Sequence, residues 1–234
     1  MTGRRRVRSG AIAAALGALA TLFSVAVPPA AAQPCPDVEV VFARGTSEAP
    51  GVGGVGQAFV DAVRAQAGPR SVGVYAVDYP AGDDFYNRVG FVSTVVDGIR
   101  DAMDHVQAMA ANCPNTRMIL GGYSQGAVVS GFATSAEVPP GIPAELVPQP
   151  MPPEIADHVA AVVLFATPSP EFLAQFGAPA VTIGPLYEPK TLQICDPGDS
   201  ICSSLPGGGP NIAHVMYAFN GSVNEGAAFA VERL

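Results

Sequence analysis

The pentapeptide Gly122-Tyr123-Ser124-Gln125-Gly126 constrains this chain more than any other segment. It follows the apolar run Met118-Ile119-Leu120 and precedes the helix-compatible Ala127-Val128-Val129, so it reads as a sharp strand–turn–helix junction of the G-x-S-x-G type. Such a turn brings its ends so close that small residues must flank the serine, and Gly122 and Gly126 supply them. It also leaves the hydroxyl exposed. A serine hydroxyl is a weak nucleophile at its own pKa and needs a neighbouring base. Ser124 is therefore the candidate nucleophile, and the strand–turn–helix unit implies an α/β fold.

Apolar, β-branched runs recur along the chain at Val38 to Phe42, Val72 to Val77, Arg117 to Leu120, Val159 to Phe165 and Thr191 to Ile194. Their few polar interruptions suit strands covered on both faces. Between them, Val92, Val95, Val96, Ile99, Met103 and Val106 recur at the helical period, with Asp97, Arg100, Asp101 and Asp104 on the opposite face. Alternating strands and helices predict a three-layer α/β-hydrolase-type sandwich, a mostly parallel five-stranded sheet with helices on both faces. The segment from Glu137 to Pro153 holds seven prolines and reads as a long, stiff surface loop. No linker divides the chain, and it is too short to carry a separate lid domain as well.

Residues 1–32 carry the marks of a secretory signal: Arg4, Arg5, Arg6 and Arg8, then an apolar stretch from Ala11 to Val27, then small residues ending at Ala32. The apolar stretch is short for a membrane span. The expectation is an exported single domain, 33–234, soluble, monomeric and without a transmembrane anchor. Losing the four arginines leaves 20 acids against eight bases, a net charge of about −12. Such a charge disfavours nucleic acid and anionic membrane surfaces, though not a neutral, apolar substrate.

The cysteines are Cys35, Cys113, Cys195 and Cys202. An even number in an exported chain implies two disulfides with three possible pairings. The tight Asp-Pro-Gly-Asp turn between Cys195 and Cys202 favours joining those two, which leaves Cys35 with Cys113. The paired C-x2-C spacing of a zinc site is missing, so no metal or cofactor is expected.

A serine nucleophile needs a base, and the base needs an acid to orient it, in the order Ser, acid, His for this fold class. Of three histidines, His105 precedes Ser124 on the charged helix face and reads as a solvated surface residue. His158 opens the strand Val159 to Phe165. His214, after the Gly/Pro-rich run Ser203 to Asn211, is the candidate base. Asp196 and Asp199 both stand in the right interval for the acid. One oxyanion donor is the backbone N–H of Gln125. A second is the Thr46 N–H, in the turn that Gly45 permits after the first strand.

These segments together resemble the cutinase family of serine esterases over essentially the whole exported chain. Ala43-Arg44-Gly45-Thr46-Ser47-Glu48 is similar to the family's first-strand loop, and Gly121-Gly122-Tyr123-Ser124-Gln125-Gly126 to its nucleophile elbow. Cys195-Asp196-Pro197-Gly198-Asp199-Ser200-Ile201-Cys202 resembles its acid loop. The resemblance implies Ser124, Asp199 and His214 as the catalytic residues, Thr46 and Gln125 as the oxyanion donors, and the bridges Cys35–Cys113 and Cys195–Cys202. Gly184-Pro185-Leu186-Tyr187 and Lys190-Thr191 look more like the bacterial branch than the fungal one. One departure is Ala166-Thr167-Pro168, where that branch often has Gly-Asn-Pro. The implied activity is hydrolysis of short- to medium-chain acyl esters, lipid or polyester. The rivals are a phospholipase A or thioesterase with the same residues, and a catalytically silent surface-binding protein.

Overall fold

The computed structural model describes Thr2, residues 34–204 and residues 209–234. The expected export signal, 1–32, lies outside the described residues except for Thr2. The chain divides into Met1–Pro34 and a second unit, Cys35–Leu234, and the fold is that of the second unit.

Five strands, β1 (Val38–Ala43), β2 (Val72–Ala76), β3 (Arg117–Tyr123), β4 (Val159–Phe165) and β5 (Thr191–Ile194), form one sheet in the order β2-β1-β3-β4-β5. Every pairing is parallel, where the sequence predicted a mostly parallel sheet. Every residue of β1 and β4 is buried, whereas the edge strands β2 and β5 are only partly covered. That difference explains the runs: an interior parallel strand has no solvent face on which to place polar residues. Register sets Ala43 of β1 beside Gly122 of β3, and Gly122 beside Leu164 of β4. The C-terminal ends of the three central strands therefore lie together.

Helices α1 (Gly53–Gln66) and α6 (Ser222–Val231) cover one face, and α2 (Arg88–Asn112) and α3 (Gln125–Ala133) the other, while the short α4 (Pro170–Gln175) and α5 (Ile212–Val215) follow β4 and β5. Strand alternation sends Val38, Val40 and Phe42 to the first face and Val41 and Ala43 to the second. Phe42, Phe59 and Phe165 form an aromatic cluster beneath α1, with Phe59 and Phe165 edge-on at 5.4 Å between centroids. Burying each ring contributes about 1.5–3 kcal/mol.

Two expectations are corrected. His105 is not a free surface residue but partly buried: its ring stacks on Tyr75 at 3.4 Å between centroids, and Nε2 lies 2.8 Å from the Glu39 carboxylate. Glu39 belongs to an interior strand and is buried, so its carboxylate needs a partner that water cannot supply. The proline-rich segment is not merely a surface loop. Its exposed residues alternate with partly buried Val138, Pro139, Ile142 and Val147, which face a cavity. Both disulfides pair as expected, Cys35–Cys113 and Cys195–Cys202. The first ties the segment before β1 to the residue that ends α2.

Candidate active site

The sheet order reverses direction between β1 and β3, and in open parallel sheets ligands bind outside the strand ends at such a point. Ser124 stands there, between the end of β3 and the first residue of α3. Its backbone takes φ 55° and ψ −116°, a region hostile to L-residues. The turn closes so tightly that a Cβ at Gly122 would land on the Gly126 carbonyl, and one at Gly126 on the Ala43 carbonyl. Three backbone hydrogen bonds hold the serine: its N–H donates to Phe165 O, and its carbonyl accepts the N–H groups of Ala127 and Val128.

His214 lies in a short helix, α5 (Ile212–Val215), capped by the Asn211 side chain, which accepts the His214 N–H. The same Asn211 donates to Gly198 O, which links the histidine to the acid loop. Tyr123, next to Ser124, donates its hydroxyl to the His214 carbonyl at 2.6 Å. The Gly/Pro-rich approach to His214 therefore ends in a residue whose backbone N–H and carbonyl are both held by side chains. Its ring is buried, with Nε2 3.0 Å from Ser124 Oγ. Nδ1 lies 3.0 and 2.9 Å from the two oxygens of Asp199.

Of the two aspartates left open by position, Asp199 thus contacts the histidine. Asp196 instead accepts the Gly198 N–H and the Asn220 side chain, as a turn-capping residue does. Asp199 is fully buried, and burial alone would raise its pKa. Hydrogen bonds from His214, the Ile201 N–H and Tyr217 outweigh burial and hold the carboxyl below its usual value. Tyr217, fully buried, was not singled out in the sequence. Its only signal was a phenol in the apolar stretch after His214, and a buried phenol needs a partner. That stretch cannot say which partner.

Thr46 lies in the loop after β1, beside the same cavity as Ser124. Buried Arg44 donates to Glu48 O, and the Glu48 carboxylate accepts the N–H groups of Gly45 and Gly54. Ser47 donates its N–H to Ala81 O and its hydroxyl to Asp83. The loop is thus braced on both sides. Gln125 opens α3, so its N–H has no carbonyl within the helix to bond. Its side chain donates to Gly82 O, tying the elbow to the segment that also braces Ser47. Thr46, Ser47, Ser124, Gln125 and His214 border a cavity of about 500 Å³ with predominantly apolar walls. Among the described residues there is no cluster of His, Cys, Asp or Glu able to hold a metal ion.

A wholly parallel sheet with a strained serine at its switch point defines an α/β-hydrolase. Residues 34–234 match the family model for cutinase, and the chain belongs to the cutinase family of carboxylic ester hydrolases. It is 59% identical over 169 residues to "Probable carboxylesterase Culp7" of Mycobacterium tuberculosis strain H37Rv, a match covering 72% of this chain and 88% of that protein. It is 42% identical over 232 residues to "Phospholipase Culp4" of the same strain, covering 99% of this chain and 94% of the relative. Among solved structures it resembles Trichoderma reesei cutinase in complex with a C11Y4 phosphonate inhibitor. That likeness has a TM-score of 0.62 and 30% identity, and covers 85% of this chain and 77% of that one.

Proposed function

We propose that this protein is an exported, monomeric carboxylester hydrolase in which Ser124, His214 and Asp199 form a catalytic triad. The observation that carries the reading is the continuous chain from Ser124 Oγ through His214 to buried Asp199, each link 3.0 Å or shorter. Ser124 Oγ attacks the ester carbonyl as its proton passes to His214 Nε2. Asp199 holds the imidazole with Nδ1–H turned toward it and stabilises the imidazolium. The carbonyl oxygen becomes an oxyanion that accepts hydrogen bonds from the Thr46 and Gln125 N–H groups. As the carbon–oxygen bond to the leaving group breaks, Nε2 returns the proton to the departing alcohol. Water then attacks the acyl-enzyme, giving a proton to Nε2, and as the bond between the acyl carbon and Ser124 Oγ breaks, Nε2 passes that proton to Oγ and the acid leaves.

The substrate class proposed is a neutral acyl ester, from a lipid or polyester. An apolar cleft of about 500 Å³ suits an alkyl chain, and the acidic chain disfavours anionic surfaces. A phospholipase reading is supported by the relative named Phospholipase Culp4, and it uses the same centre with a different leaving group. Two disulfides and the signal-like N-terminus support export. The test is labelling with a fluorophosphonate probe, followed by peptide mass mapping. Wild-type protein takes the label on the peptide carrying Ser124, and Ser124→Ala takes none. A label on another residue, or no label on the wild type, overturns the assignment.

A further inference from the structure

Asn220-Gly221, between α5 and α6, is the one place in the chain where glycine follows asparagine, and both residues are exposed. Asparagine is thermally labile because the backbone nitrogen of the next residue can attack its side-chain amide. A glycine in that position has no Cβ to shield the nitrogen. Gly221 takes φ 95°, in the left-handed region that glycine enters freely. Among the described residues, no backbone carbonyl accepts its N–H.

The Asn220 side chain is held by two hydrogen bonds. Oδ1 accepts the Ser222 N–H at 3.1 Å, which folds the amide back along the Gly221 backbone as in an Asx turn. Nδ2 donates to Asp196 Oδ2 at 3.2 Å. Only this orientation serves both, since a flipped amide would set its oxygen against the carboxylate and its NH2 against the Ser222 N–H. From Asp196 the connection continues inward. The Asp196 N–H donates to Tyr217 Oη, and Tyr217 Oη donates to Asp199. Neither Asn220 nor Asp196 lines the cavity beside Ser124.

We propose that Asn220 is a deamidation site, and that its conversion loosens the loop carrying Asp199. The effect on activity rests on Asp199 as the triad acid; the modification does not. A base takes the proton from Gly221 N, and the nitrogen bonds to Asn220 Cγ. The Ser222 N–H, already on Oδ1, stabilises the charge that collects there. The bond from Cγ to Nδ2 then breaks, and ammonia leaves with a proton from water. Water adds to either carbonyl of the resulting cyclic imide, giving aspartate or isoaspartate. The aspartate keeps the acceptor for Ser222, and a negative charge suits the start of α6. Its cost falls on the other contact, where a donor to Asp196 becomes a second carboxylate and the like charges repel. Asn220 is thus a positioning residue, acting on Asp199 through Asp196 and Tyr217.

The experiment incubates the wild-type protein at mildly acid and mildly alkaline pH and follows each asparagine by peptide mass mapping. The amide-to-acid mass change should collect on Asn220, faster in alkali, with the peptide splitting into aspartyl and isoaspartyl forms. Asn224, equally exposed but followed by Glu225, serves as the internal control and should stay intact. Gly221→Ala should slow the change roughly tenfold, because a Cβ crowds the attacking nitrogen. Asn220→Asp reproduces the aspartyl product. Its kcat should fall about two- to tenfold, the worth of one hydrogen bond, with KM unchanged. Adding Asp196→Asn to Asn220→Asp puts the donor on the other side and should return kcat to near the wild-type value, a rescue that general destabilisation would not give. An Asn220 that outlasts Asn224 in alkali overturns the modification site. A wild-type kcat in Asn220→Asp, or a loss that Asp196→Asn deepens, overturns the link to the acid loop. Fluorophosphonate labelling separates these from the catalytic reading, since a wild type that takes no label on Ser124 overturns the triad and leaves the mass change standing.

Discussion

Tyr217 Oη donates a hydrogen bond to Asp199 Oδ2 at 2.9 Å while accepting one from the Asp196 backbone N–H at 2.8 Å. The tyrosine thus joins the two ends of the acid loop and supplies one of the bonds that keep the buried carboxyl ionised. Its own ionisation is pushed well above the usual phenol range, first by burial and then by the Asp199 carboxylate, so it stays a donor at any working pH. Tyr217→Phe removes the hydroxyl and nothing else. A hydrogen bond to a charged group is worth about 1.5–3 kcal/mol, so kcat/KM is expected to fall roughly 10- to 100-fold. The loss should fall on kcat rather than KM, because Tyr217 is absent from the cavity lining. An unchanged kcat would remove Tyr217 from the positioning of the acid.

How much of this was legible in the sequence follows from how local each constraint is. The elbow and the buried strands depend on neighbouring residues, and a run such as Val159 to Phe165 declares its burial in its own composition. Asp199 could be separated from Asp196 only by resemblance, because position allowed both. The pairing of His105 with Glu39 joins residues 66 apart, and nothing near either one announces the other. The proline-rich segment declared its stiffness but not its orientation. Which of its side chains turn inward depends on where α2 passes, and that is a property of the assembled layers.

Asp199→Asn is expected to lower kcat by about 10⁴, because the neutral amide can hold the imidazole in the wrong tautomer. Asp196→Asn should cost far less, since Asp196 caps a turn and touches neither His214 nor Ser124. Stability should separate them too. The folded Asp199 carboxyl is held below its unfolded value, so its contribution is present above the ordinary carboxylate range and is lost as pH falls through the folded value. Melting temperatures of Asp199→Asn measured from neutral pH down to about pH 3 should therefore fall less steeply than those of the wild type. A parallel acid limb in the two proteins would mean that this carboxyl is not held low.

The strained backbone at Ser124 makes a prediction of opposite sign for activity and stability. Ser124→Ala and Ser124→Gly both remove the hydroxyl and its bond to His214, and both should be inactive. They differ in backbone. A non-glycine residue at φ 55°, ψ −116° costs about 1–3 kcal/mol, which glycine avoids while giving back about 0.5–1 kcal/mol in chain entropy. Ser124→Gly should therefore melt above Ser124→Ala, by about 2–4 °C for each net kcal/mol. Equal melting temperatures would show that the elbow stores no strain.

The two disulfides should fail in different ways. On the loop-entropy model, a bridge closing 78 residues, Cys35–Cys113, contributes about 4–5 kcal/mol, and one closing seven, Cys195–Cys202, about 2–3 kcal/mol. Stability alone therefore ranks the long bridge first. Geometry ranks them the other way for activity, because Cys202 Sγ lies 3.3 Å from Asp199 Oδ2 and 3.4 Å from Tyr217 Oη, against the carboxylate that meets His214. The long bridge joins the segment before β1 to the end of α2, where no candidate triad residue stands. Changing Cys195 and Cys202 to serine should cut kcat/KM at a temperature where circular dichroism still reports a folded protein. Changing Cys35 and Cys113 should lower the melting temperature more and leave kcat/KM of the folded fraction near that of the wild type. His214 has its own anchors in Asn211 and Tyr123, so loss of the short bridge is expected to disturb Asp199 rather than His214. If activity and stability fall in parallel in both double variants, the Cys195–Cys202 bridge does not position Asp199.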